Sequence, residues 1–141
     1  MPVGRAGKIS VFRLLENDDL IEAIKKKAEE SNIKAGAFTL IGSIKHAVLG
    51  YYKDGEYKNT LLEGPLEVAS CMGNVAVDEK GEVVVHAHVV VTNEKSEAFG
   101  GHLMKDSPVG ATAELVIIEA TEINMQRIFD EKTKLRLLKL T

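Results

Sequence analysis

At 141 residues, with 45% apolar and 28% charged side chains, the chain has the length and composition of a single soluble globular domain spanning residues 1–141, and not of a disordered or fibrous polymer. Its 18 basic and 21 acidic residues leave a formal net charge of -3, which offers a phosphate backbone no general attraction and disfavours DNA as a partner. The lone cysteine, Cys71, excludes an intrachain disulfide and any zinc site built from several thiolates, and Met1–Gly7 lacks the apolar core of a secretory leader, so a reducing, cytoplasmic setting without a membrane span is expected.

The first element is a strand over Lys8–Leu15, where Ile9, Val11, Phe12, Leu14 and Leu15 mix with polar residues. Asn17, Asp18 and Asp19 then supply a cap and early acids for a helix whose Leu20, Ile21, Ile24 and Ala28 share one face. Ser31 and Asn32 weaken the helical pattern, and Gly36 is expected to let the chain reverse before Ala37–Ile41. Beyond this point the punctuation is that of strands, with breaks at Gly42-Ser43, Asp54-Gly55, Gly64-Pro65 and Asp78–Gly81. Val48–Tyr52, Leu66–Val77, Glu82–Thr92, Thr112–Glu119 and Leu135–Leu140 read as strands, and Asp54-Gly55 is the clearest hairpin turn. The expected class is α+β: a mostly antiparallel sheet with one main helix packed on it.

Chemistry concentrates in Val83–Thr92. Side chains alternate across a strand, so Val83, Val85, Ala87, Val89 and Val91 form an apolar stripe on one face while His86 and His88 share the other. Their Cα atoms lie roughly 6.5 Å apart on an ideal strand, close enough for two imidazoles to converge on one ion. A third imidazole, His102, follows Gly100-Gly101, where small residues allow the backbone to return close beside its own strand. Three neutral imidazoles with a position left open suit a divalent metal, zinc first among them. The same pair of histidines also fits a solvated or subunit-facing surface.

The other reactive side chains carry weaker signals. His46 stands apart from any partner at ligand spacing and reads as a surface or packing residue. Cys71 lies in an interior-looking run, where a lone thiol behaves as a small hydrophobe. Glu114 is a candidate catalytic carboxylate, for proton transfer or for orienting a ligand, although a surface role is the ordinary reading for glutamate. Lys25, Lys26 and Lys27 read as the solvated side of the helix.

At His86-Ala87-His88, Gly100-Gly101-His102-Leu103 and Val109-Gly110-Ala111-Thr112-Ala113-Glu114-Leu115 the sequence resembles the plant and prokaryote conserved (PPC) domain, a family of stand-alone prokaryotic proteins. Thr39–Ser43 and Leu62–Val68 extend the likeness upstream. The resemblance implies an α+β domain that assembles as a homotrimer, with His86, His88 and His102 at the positions of a metal-binding set. Plant relatives carry this domain after AT-hooks; here the nearest basic stretch, Arg5-Ala6-Gly7-Lys8, lacks the Arg-Gly-Arg-Pro core of such a hook. Two functions follow: a metal-binding trimer that acts on or senses a small ligand, or a DNA-binding or protein-assembly module without catalytic activity.

Overall fold

One helix and eight strands make up most of residues 2–141, the span described by the computed structural model. In chain order they are β1 (Arg5–Leu14), α1 (Leu20–Glu30), β2 (Gly36–Lys53), β3 (Glu56–Val77), β4 (Val83–Thr92), β5 (Ala98–Leu103), β6 (Val109–Thr121), β7 (Met125–Asp130) and β8 (Leu135–Leu140).

The helix begins as its sequence dictates. Asp19 is the N-cap, its carboxylate accepting from the Glu22 amide at 3.1 Å and so satisfying one of the donors that a helix start leaves unpaired. Leu20, Ala23, Ile24 and Ala28 are buried, while Lys25 and Lys27 pair with Glu29 and Glu30 on the outer side. The chain reverses at Asn32, whose φ of 53° is one that asparagine tolerates, and not at Gly36. Gly36 is instead the buried first residue of β2, where a Cβ would lie 2.4 Å from the Ile118 carbonyl oxygen.

The strands are longer than the glycine punctuation suggests. β2 runs for 18 residues and β3 for 22, joined by the expected hairpin at Asp54-Gly55, where both residues take positive φ. Gly42-Ser43 and Gly64-Pro65 do not end strands. They sit at register shifts, where an extra residue bends paired strands without parting them.

All eight strands form one sheet in the order β1-β6-β2-β5-β4-β3-β7-β8, and β2 also pairs with β3. That additional pairing closes β2, β5, β4 and β3 into a barrel-like ring. Every pairing is antiparallel except the short one between β3 and β7. The protein is therefore a mostly antiparallel sheet with one short helix, more β-rich than the expected helix-on-sheet layout.

The helix packs against β4 and β6, and the core joins its buried face to Leu40, Ile44, Val75, Val91, Leu115 and Ile117. Val83, Ala87, Val89 and Val91 all belong to this core, as the alternating stripe requires. Burying their faces fixes the register of β4, because a slip by one residue would drive the valines outward and the histidines in. Packing thus decides where His86 and His88 point.

Candidate metal centre

β4 presents His86 and His88 on the face opposite the valine stripe, and β5 brings the third imidazole alongside. His102 is the direct antiparallel partner of His88, and on its other side it pairs with Gly50 of β2. The close return requires glycine at position 100: a Cβ there would meet the Val89 carbonyl oxygen at 2.7 Å. Gly101 is less constrained, its nearest would-be contact being 3.5 Å away.

The three rings form a triangle with centroid separations of 5.2 Å for His86–His88, 5.0 Å for His86–His102 and 5.4 Å for His88–His102. One ring nitrogen from each lies within 4.8 Å of the others. A tetrahedral ion with bonds of about 2.0–2.1 Å holds its ligand atoms roughly 3.3–3.4 Å apart, so side-chain rotation alone can close the set. Neutral nitrogen donors without a thiolate match what imidazole-binding divalent metals take.

The electrostatics keep two of the three imidazoles, His86 and His102, unprotonated. Burial, then the Arg127 guanidinium and the two neighbouring histidines, push the His86 imidazole down to about 4. Burial, His88 and Arg127 likewise lower His102. An imidazole must be neutral to donate its lone pair, so this environment favours the ligand form.

Two residues not singled out from the sequence complete the surroundings. Tyr57 of β3 packs its ring on His102, with centroids 4.7 Å apart and planes tilted by 35°. Arg127 of β7 is only 8% exposed, and its Nη2 lies 2.7 Å from Asn74 Oδ1 and 3.0 Å from His86 Nδ1. Beside the histidines opens a cleft of about 360 Å³, lined by Val84, Val85, Leu135 and Leu137 together with Tyr57 and Arg127. The only sequence signal for Arg127 was a basic residue between Met125 and Phe129 in a strand-like alternation.

The remaining sequence candidates lie elsewhere. Glu114 is exposed on β6, in register with Arg13 of β1 and Ile41 of β2, whereas His102 stands opposite Gly50 far along β2. Within the described chain Glu114 is not among the groups that converge with the histidines: β2 and β3 stand between β6 and β4, His88 reaching the row of Val116 only through Met72 and Thr39. His46 pairs with Glu63 and is half-buried. Cys71 is buried in the core, and burial pushes its thiol up to about 12, as suits a packing residue.

Comparison with known proteins agrees with this architecture. The family model of the Plants and Prokaryotes Conserved (PCC) domain matches residues 1–121, and the chain belongs to that family. A metal-containing protein of Archaeoglobus fulgidus superposes with a TM-score of 0.88 at 32% identity, covering 99% of this chain and 98% of that one. A plant- and prokaryote-conserved protein of Pyrococcus horikoshii gives a TM-score of 0.89 at 30% identity, covering 99% and 96%. The bifunctional protein GlmU of Synechococcus sp. strain JA-2-3B'a(2-13) is 29% identical over 135 residues, 94% of this chain. The chain spans 20% of the length of that relative.

Proposed function

We propose that this member of the PCC family is a metal-binding protein in which His86, His88 and His102 hold one divalent ion, zinc first, and leave part of its coordination sphere to a small ligand. The observation that carries this reading is the convergence of three imidazole nitrogens within 4.8 Å on two adjacent strands. The Archaeoglobus fulgidus relative, described as metal-containing, supports it. An ion with three protein ligands and an open position supplies Lewis-acid polarisation of whatever oxygen it holds.

The chain's own residues supply the rest. The β4–β5 ladder sets His88 against His102, Tyr57 covers one face of His102, and the buried surroundings keep His86 and His102 neutral. Assembly as a homotrimer belongs to the same proposal. Ile9, Val11, Ile41, Met72 and Ile118 are all exposed, more large apolar surface on β1, β6, β2 and β3 than a monomer needs.

The test is calorimetric titration of chelator-treated protein with zinc. One ion per chain is expected, with binding weakened at least tenfold in His86→Ala, His88→Ala and His102→Ala and unchanged in His46→Ala. Zinc binding that survives His102→Ala unaltered would refute the site.

A further inference from the structure

Arg127 is an odd group to bury beside three histidines. A guanidinium keeps its proton at any ordinary pH, and taking it out of water is costly unless an anion or a full set of acceptors meets it. Among the described residues no carboxylate is ion-paired with Arg127, although the two other cations at this cleft, Lys134 and Arg136, are paired with Glu131 and Glu79. Its acceptors are Asn74 Oδ1 at 2.7 Å, His86 Nδ1 at 3.0 Å and the Arg136 carbonyl oxygen at 3.4 Å. Five N–H groups thus meet three acceptors, and the buried Nε has none.

Occupation of the histidine site would leave Arg127 still poorer in partners. Arg127 has only protons to offer, so His86 Nδ1 must accept from it through a lone pair. If an ion takes His86 through Nε2, the proton moves to Nδ1 and faces the Arg127 donor; if it takes Nδ1, that lone pair is used. In both cases an N–H of Arg127 is released at the wall of the cleft. That N–H on Nη2, together with the unpartnered Nε–H, gives the guanidinium two free donors for a planar, bidentate anion, and the apolar part of the lining, Val84, Val85, Leu135 and Leu137, suits an aliphatic body.

We propose that Arg127 is the anion-binding residue of this cleft, holding the carboxylate of a small organic acid whose aliphatic part lies against Val84, Val85, Leu135 and Leu137 beside the histidines. The assignment rests on the metal-site reading for its setting, but the guanidinium–carboxylate contact can be measured separately. Lysine is not an equivalent at this position, since a point charge cannot reproduce the fork.

The probe is butyrate, compared with butyramide and inorganic phosphate, and the readout is the 15N–1H resonance of the Arg127 Nε group, identified by its loss in Arg127→Lys. Titrations are run on zinc-loaded and zinc-free protein, with zinc content measured independently. Butyrate is expected to shift the Nε resonance saturably, more tightly in the zinc-loaded form, and butyramide is expected to leave it in place. Calorimetry should show butyrate binding weakened tenfold or more in both Arg127→Met and Arg127→Lys, with zinc content retained. A resonance that butyrate does not move in zinc-loaded protein overturns the proposal while leaving the metal site standing. A shift produced by phosphate and not by butyrate overturns the carboxylate assignment. Protein that takes up no zinc refutes the metal reading alone, and the zinc-free titration still decides whether Arg127 takes the carboxylate.

Discussion

Replacing Gly73 by alanine tests how the histidine-bearing strand is held. Gly73 lies opposite Ala87, between the residues that pair with His86 and His88. A Cβ built on it falls 1.9 Å from the His86 carbonyl oxygen, 2.8 Å from Phe38 Cζ and 2.9 Å from Ala87 Cα. Phe38 can rotate, but the other two atoms are the backbone of β4 and yield only if the strand moves. Ordinary contact begins near 3.4 Å, so β3 and β4 must part by about 1.5 Å, the difference between 3.4 and 1.9 Å. Such a displacement removes neighbouring ladder hydrogen bonds. Two of them at about 1 kcal/mol each, with roughly 1–3 kcal/mol of overpacking strain, put the loss near 3–5 kcal/mol. At roughly 3 °C per kcal/mol for a chain of this size, thermal unfolding followed by far-ultraviolet circular dichroism should fall by about 10 °C or more. Gly101→Ala is the control and should stay within about 2 °C of the parent, because its Cβ meets nothing closer than 3.5 Å. A Gly73→Ala protein that melts with the parent and binds zinc equally well would show that the close approach of β3 to β4 at Gly73 does not hold the histidine strand in place.

Stability of the zinc-free protein should decline as pH falls from about 6.5 toward 4, since His86 and His102 resist protonation when folded and the unfolded chain accepts those protons more readily. Urea unfolding at stepped pH checks this, and the dependence on His86 should vanish in His86→Phe. Cys71 should resist thiol reagents in the folded protein and react on denaturation, because burial holds it as the thiol; rapid labelling of native protein would contradict its core position. Light scattering during size exclusion should give three times the 15.4 kDa of one chain, and a mass of one chain would refute the trimer.

Much of this was legible in the sequence because local rules and tertiary packing agree. Asp19 caps the helix, Asp54-Gly55 turns the hairpin, and the Val83–Val91 alternation fixes which way His86 and His88 face. Gly42 and Gly64-Pro65 misled, because the residues that end strands also bend them, and only the pairing partner decides which occurs. β5 and β7 are short strands whose existence depends on what they pair with, β5 between β2 and β4 in the ring and β7 beside β3 outside it, and no periodicity over six residues announces either. Arg127 was hidden for the same reason. Its neighbours Asn74 and His86 come from β3 and β4, so its role follows from how the sheet continues past β3 rather than from anything near it in the chain.

Whether three histidines on β4 and β5 form one metal centre is decided by X-ray absorption at the metal edge, on protein purified without chelator or affinity tag. The expected result is one divalent ion per chain, zinc first, bound to three imidazole nitrogens at about 2.0–2.1 Å with its remaining positions filled by oxygen, and lost in His102→Ala. Protein without stoichiometric metal, or a metal whose content and spectrum are the same in His102→Ala, would contradict it.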